Sequence, residues 1–228
     1  MEKGLNRNQL KYIAIIAMVI DHIAFLFIPS TTILYKICRI IGKLTAPIMC
    51  YFLAEGYNYT SSKTKYGIRL LIFAIISQFA FSLTFFNNWF VFNFNMIFTL
   101  FLCFVVLLSY EKIQNKLIRW ISIFCLIFLS YFCDWGIFAP LWVLSFYIFN
   151  GRKSLQILSY YIVTICAIVI KNIIISNYNW TNILIQFGLF LFIPMFCLYN
   201  GKKGKTNQFN KWFFYIFYPL HLIILYFA

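Results

Sequence analysis

Apolar residues run through this chain in long unbroken stretches, and polar residues gather in the short segments between them. Runs long enough to cross a bilayer, or nearly so, lie at 11–28, 33–57, 66–86, 95–110, 117–133, 137–149, 155–175, 181–199 and 211–227. The run at 137–149 is short enough to be a half-span. The pattern predicts an all-α integral membrane protein with about nine transmembrane helices in one bundle. No soluble domain, low-complexity linker or internal repeat interrupts it, so residues 1–228 read as a single polytopic membrane domain.

The linkers orient the chain. Lys63, Lys65 and Arg69 follow the second run, and Lys112, Lys116 and Arg119 the fourth. Arg152 and Lys153 follow the sixth, and Lys202, Lys203, Lys205 and Lys211 the eighth. The intervening linkers, such as that between Phe86 and Phe94, carry almost no cations. This alternation predicts a cytoplasmic N-terminus and an outside C-terminus, as an odd number of spans requires. Lys3, Arg7 and Lys11 before the first run imitate a secretory signal. That run is too long and has no small-residue cleavage site, so it is expected to be a retained span.

Composition agrees. Of 228 residues, 63% are hydrophobic and 11% charged, and the mean hydropathy is +0.84. The net charge of +14 resides in short loops between apolar runs, so it speaks for membrane orientation and not for nucleic acid. The seven cysteines are scattered without a C-x-x-C and read as small buried hydrophobes.

The candidate chemistry lies where polar residues enter the apolar runs. Asp21 and His22 sit inside the first run, where a charge costs about 2.5–3.5 kcal/mol. Ala14, Ala17, Asp21 and Ala24 share one narrow face that admits a neighbouring helix. His22 points about 100° away, beside Met18. There are five acids and two histidines. Glu2 and Glu111 fall in linkers, Glu55 near the cytoplasmic end of the second run, and Asp134 at the outer end of the fifth. Asp21 is ten residues beyond Lys11, and His221 ten beyond Lys211. Each is therefore about 15 Å along its helix, near the middle of a core about 30 Å thick. Arg39 reaches the same level from the outer end of the second run, after about 12 Å.

Two readings follow. Asp21 neutralises Arg39 as a structural pair, or carboxylate, guanidinium and imidazoles form one site. A metal is not expected, because Asp21 and His22 are sequence neighbours and cannot converge on one ion. Pro219 removes the helical partner of the Tyr215 carbonyl and can kink the last span two residues before His221. Lys36, Arg39 and Lys43 form a cationic stripe on one face of the second run, which suits a wet, anion-accepting cavity. Ser77, Gln78, Asn95 and Thr99 are potential hydrogen-bonding partners there. The loop Tyr199-Asn200-Gly201-Lys202-Lys203-Gly204-Lys205 is glycine-containing and cationic, a combination suited to phosphates.

Several segments taken together resemble the TraX family of integral-membrane acyltransferases. They are Ile20-Asp21-His22-Ile23, Arg39-Ile40-Ile41-Gly42-Lys43 with Pro47, and Glu55-Gly56-Tyr57. Lys65-Tyr66 with Arg69-Leu70-Leu71, Asn95 with Phe98-Thr99-Leu100, and Asp134-Trp135-Gly136 continue the series. Tyr199-Asn200-Gly201-Lys202 and Phe214-Tyr215-Ile216-Phe217-Tyr218-Pro219-Leu220-His221-Leu222 complete it. The segments run in family order over nearly the whole chain, and the last is the most specific. Lys43, Ala46 and Trp135 depart from the family pattern.

The resemblance implies a multi-pass protein of the bacterial cytoplasmic membrane that transfers acetyl from acetyl-CoA. In the founding case the acceptor is the N-terminal amine of a conjugative pilin subunit. The expected acceptor here is an amine or hydroxyl on an envelope component, a pilin-like peptide or a glycan. His22 or His221 would be the base, Asp21 would orient an imidazole, and Arg39 would stabilise an oxyanion or hold an anionic group. Lys43, Gln78, Asn95, Asp134 and Tyr218 are the candidate substrate-binding residues. Asn200, Gly201, Lys202, Lys203 and Lys205 are expected to hold the acetyl-CoA phosphates. Transfer directly or through an acyl-histidine both remain open. A proton-coupled membrane transporter is the alternative, since Asp/His chains also relay protons. A non-catalytic partner of an envelope machine is the third.

Overall fold

The structure is a computed structural model and describes residues 4–174, 180–204 and 208–228. In chain order its helices are α1 (Arg7–Phe27), α2 (Ile33–Gly42), α3 (Thr45–Tyr59), α4 (Lys63–Phe86), α5 (Met96–Lys112) and α6 (Lys116–Leu129). There follow α7 (Phe138–Ile148), α8 (Lys153–Ile174), α9 (Trp180–Gln186), α10 (Phe192–Leu198) and α11 (Gln208–Phe227). Short 3-10 turns cover Ser130–Phe132 and Phe187–Leu191. Among the described residues there is no β-strand, only two isolated bridges, Leu5 with Tyr199 and Phe94 with Cys133.

Every apolar run contains helix. Five stretches are long and apolar enough to cross a membrane: Arg7–Phe27, Ile33–Tyr59, Lys63–Phe86, Lys153–Asn172 and Trp180–Leu198. Phe138–Ile148 and Trp212–Phe227 are shorter and apolar. The chain is a multi-pass membrane protein.

Proline decides where runs break. Pro47, Pro140 and Pro194 are each the third residue of a helix, α3, α7 and α10. There a missing N–H costs nothing within the new helix. It does, however, deprive the carbonyl four residues earlier of a partner, so the preceding helix cannot continue through. For Pro47 that carbonyl belongs to Lys43, the C-cap of α2. The run at 33–57, expected as one span, is therefore two helices meeting at Lys43 and Leu44. Pro194 acts likewise on 181–199, which is α9, a 3-10 turn and α10. Pro219 alone lies inside a helix.

The chain forms two compact units. The first comprises Met1–Met49 and Ile157–Asn207, the second Cys50–Gln156 and Gln208–Ala228. In the first unit α2 packs against α1 and against the 187–191 turn. Glycines permit both approaches: Gly42 faces the Asp21 side chain, and Gly188 faces the Ile40 backbone. A β-carbon at either glycine would overlap these atoms. Thr45 Oγ1 donates to the Ala14 carbonyl at 3.0 Å, and Tyr160 Oη to the Leu189 carbonyl at 2.7 Å. Ala14, Ala17 and Ala24 are buried along the face that carries Asp21.

The second unit is built on α4, α5, α7 and α11. Phe104, Leu107, Val143 and Phe146 fill its centre. Gly67 of α4 admits the Phe104 ring. Thr84 Oγ1 donates to the Leu222 carbonyl at 2.9 Å and ties α4 to α11.

Candidate functional site

The first unit brings Asp21, Arg39 and Lys43 together. Arg39 Nη1 donates to Asp21 Oδ2 at 2.8 Å, from α2 to α1. Lys43, one turn further on, adds a second positive charge to the surroundings of the carboxylate. The Arg39 guanidinium also lies 5.2 Å from the Phe25 ring centroid and 5.9 Å from that of Tyr35. Two polar atoms of this pair are buried without a hydrogen-bond partner among the described residues: Asp21 Oδ1 and Arg39 Nε. Buried polar groups are nearly always satisfied, so a carboxylate and a guanidinium each leaving an atom unmet mark this place. His22 is half-buried on the adjacent face of α1.

The same unit places the 198–204 loop against the start of α1. Leu5 N donates to the Leu198 carbonyl at 2.8 Å, Asn200 N to the Leu5 carbonyl at 3.0 Å, and Arg7 N to the Lys202 carbonyl at 2.9 Å. Asn6 caps α1 reciprocally with Gln9, at 3.0 and 2.9 Å. Asn200 Oδ1 accepts from Lys202 N at 3.0 Å, and Gly201 takes a positive φ of 75°. Lys202 and Lys203 are exposed beside the first turn of α1. Lys205 lies outside the described residues.

The second unit holds Gln78, Asn95, Asp134, Tyr218 and His221. Asn95 is fully buried and caps α5, its Oδ1 accepting from Ile97 N at 2.9 Å and Phe98 N at 3.1 Å. Its Nδ2 donates to Gln78 Oε1 at 2.9 Å and to the Ala74 carbonyl at 2.8 Å. Gln78 Nε2 in turn donates to the Asn93 carbonyl at 2.9 Å. These two amides are thus occupied in holding the 91–95 segment to α4. Asp134 N donates to the Phe94 carbonyl at 2.8 Å, which fixes the turn carrying this acid. Tyr218 is buried beside Asp134 and the Met96 backbone.

His221 is buried in α11 with its ring stacked on Phe217, centroids 5.1 Å apart. Its Nδ1 lies 3.0 Å from the Phe217 carbonyl oxygen. A carbonyl only accepts, so the proton belongs on Nδ1 and the basic lone pair on Nε2.

Glu111 corrects the sequence reading. It was expected in a linker but is the penultimate residue of α5. It accepts from the buried Tyr57 phenol and from Lys63 Nζ, at 2.6 and 2.5 Å. Among the described residues no group of three or more His, Cys, Asp and Glu could hold a metal ion.

The comparisons with known proteins bear on this arrangement. A family model described as TraX protein matches residues 6–228. The chain belongs to the TraX family. It is 32% identical over 227 residues to "Probable fimbrial assembly protein FimC, serogroup H1" of Dichelobacter nodosus, covering 95% of this chain and 93% of that protein. An uncharacterized protein of Rickettsia prowazekii is 42% identical over 74 residues, covering 31% of this chain and 27% of that protein. No solved structure matches the chain.

Two groups in this TraX chain were not found by depth arithmetic. The Tyr57–Glu111–Lys63 cluster joins residues up to 54 positions apart, and nothing local announces that pairing. Arg69, counted among the orienting loop cations, is instead the seventh residue of α4 and packs between two tyrosine rings. Its helical position is implied by the apolar periodicity from Tyr66 onward, and that was the available signal.

Proposed function

We propose that this TraX protein is an integral-membrane acyltransferase that moves an acetyl or similar acyl group from acyl-CoA to an amine or hydroxyl of an envelope acceptor. The observation that carries the reading is the buried His221, whose Nδ1 faces the Phe217 carbonyl so that Nε2 holds the basic lone pair. Family membership supports the reaction class. The relative's name, fimbrial assembly protein, favours a pilin-type acceptor.

An amine attacking a thioester forms a C–N bond, breaks the C–S bond and must lose a proton. An imidazole accepts that proton and returns it to the departing thiolate of coenzyme A. His221 suits this by its tautomer, and His22 is the second candidate. Asp21 and Arg39 serve within the first unit. The guanidinium faces an anionic group or a developing oxyanion, and the carboxylate holds the guanidinium in place. The buried Asp21 Oδ1 and Arg39 Nε, unmet within the described residues, support a polar ligand there. Lys43, Asp134 and Tyr218 remain the substrate-binding candidates, while Gln78 and Asn95 act by fixing the 91–95 segment. Lys202 and Lys203, beside the capped N-terminus of α1 and with Asn200 and Gly201 shaping the turn, would take the coenzyme phosphates.

The test is purified protein incubated with labelled acetyl-CoA, pilin N-terminal peptides and envelope glycan fragments. Labelled acceptor is the expected result. His22→Ala and His221→Ala assign the base, and Lys202→Ala with Lys203→Ala should weaken coenzyme binding first. Absence of both coenzyme binding and acylated product overturns the proposal. Solute flux in proteoliposomes without acyl-CoA would establish the transporter instead.

A further inference from the structure

The second unit contains a cation that has no ion pair among the described residues. Lys63 and Arg69 both lie on α4, six residues or about 9 Å of helix apart. Lys63 is matched: it pairs with Glu111 and lies 4.4 Å from the Tyr57 ring centroid. That cation is Arg69. Its guanidinium instead sits between two aromatic rings, 5.4 Å from the Tyr66 centroid and 5.2 Å from that of Tyr215, and donates a hydrogen bond to the Tyr215 phenol oxygen. Its Nε is buried without a hydrogen-bond partner among the described residues.

The walls of this clamp are braced. Tyr66 packs edge-on against Phe104 at 5.3 Å, and Gly56 leaves room for its hydroxyl. Tyr215 packs on Phe73 at 5.1 Å. The guanidinium plane is therefore fixed before any ligand arrives, which lowers the ordering cost of binding. Lys65 is exposed four residues earlier, so it shares the face of Arg69. Two cations on one face and a rigid planar fork match a tetrahedral dianion better than a single carboxylate. A charge held inside a membrane protein without a counter-ion is functional by default.

We propose that Arg69, clamped by Tyr66 and Tyr215 and assisted by Lys65, anchors a phosphate-binding site in the second unit. The group bound is a phosphate ester, carried either by a soluble nucleotide-type cofactor or by an anionic phospholipid headgroup. The site stands without the acyltransfer reading, because nothing in it depends on a thioester.

The experiment uses the full chain in nanodiscs, with Arg69→Gln, Arg69→Lys and Tyr215→Phe. Calorimetry with pyrophosphate and with adenosine 3′,5′-bisphosphate tests the soluble source. Native mass spectrometry after purification from phosphatidylglycerol or phosphatidylcholine bilayers tests the lipid source. If the ligand is soluble, Arg69→Gln weakens pyrophosphate binding about tenfold or more, with Arg69→Lys between it and the parent. If the ligand is a lipid, pyrophosphate does not bind, and the parent retains a phosphatidylglycerol that Arg69→Gln loses. Should Arg69→Gln fail to fold, Arg69→Lys decides, since it keeps the charge and loses only the stacked fork. Parent-like binding of both probes in the folded variants, or no phosphate ligand on the parent in either arm, overturns the proposal. Neither arm contains an acyl group, so failure of acyl transfer and failure of this site are separate results.

Discussion

The side chain of Asp21 lies directly against the backbone of Gly42, so closely that a methyl group at Gly42 would overlap both its carboxylate and its Cβ. Because Cβ is fixed to the α1 backbone, no rotation of Asp21 relieves that overlap. The two helices must separate. Helix propensity alone would favour Ala over Gly by about 1 kcal/mol. Overpacking opposes it by about 1–3 kcal/mol. Gly42→Ala is therefore expected to lower the melting temperature in detergent and to break the Asp21–Arg39 bond. A variant as stable as the parent would show that the helices are not held at this spacing.

The Asp21–Arg39 pair separates structure from chemistry by a double replacement. The side chains keep only 18% and 19% exposure, so removing one partner strands a charge in a poorly hydrated place. Asp21→Leu or Arg39→Leu alone should cost about 2 kcal/mol or more. Together they remove both charges, and stability should return most of the way. Activity should not return if the pair meets the substrate. Recovery of both melting temperature and turnover in the double variant would reduce the pair to a structural bridge.

Much of this was legible in the chain because a membrane leaves few alternatives. Each apolar run is helical, and the Ala14–Ala17–Ala24 face is buried as its small residues require. With two acids inside the runs and Asp134 at the end of one, Arg39 had few possible partners, and Asp21 is the one it meets. Length alone identified the run at 33–57 as long enough to cross a membrane but did not show the break inside it, since it ignored what Pro47 withholds from Lys43. Long-range pairings were out of reach. Nothing near Leu5 announces its bridge to Tyr199, and nothing near Glu111 announces Tyr57. Fine geometry was hidden too: the Phe217 carbonyl sets the His221 tautomer, and a sequence does not show where a carbonyl oxygen lies relative to a ring nitrogen.

Glu111 gives a prediction confined to stability. It satisfies the phenol of Tyr57, a side chain with no exposed surface, and pairs with Lys63. Glu111→Ala leaves that hydroxyl without its acceptor, at a cost of about 1–3 kcal/mol. Glu111→Gln keeps a carbonyl for the phenol and loses only the ion pair, which is part-exposed and worth at most about 1 kcal/mol. Melting curves should therefore rank parent, Gln, Ala. Equal melting of the two variants would mean that the phenol finds another acceptor.

His221 offers the sharpest division between holding the fold and performing the reaction. Its two ring nitrogens have different tasks: Nδ1 donates to the Phe217 carbonyl, and Nε2 holds the lone pair proposed to take the acceptor's proton. Asparagine reproduces the first task, because its amide nitrogen falls close to the position of Nδ1. It has nothing to offer for the second. In His221→Asn the carbonyl keeps its donor and the ring stack on Phe217 is lost, so the melting temperature should fall by only a few degrees. Coenzyme binding should also be preserved, since its proposed phosphate contacts are made by Lys202 and Lys203. Turnover should fall by about 10²–10⁴, the range supplied by a positioned base. His221→Ala should lose turnover similarly and melt lower than His221→Asn, because the bond to Phe217 goes along with the stacked ring. Turnover close to the parent's in a folded His221→Asn would transfer the role of base to His22.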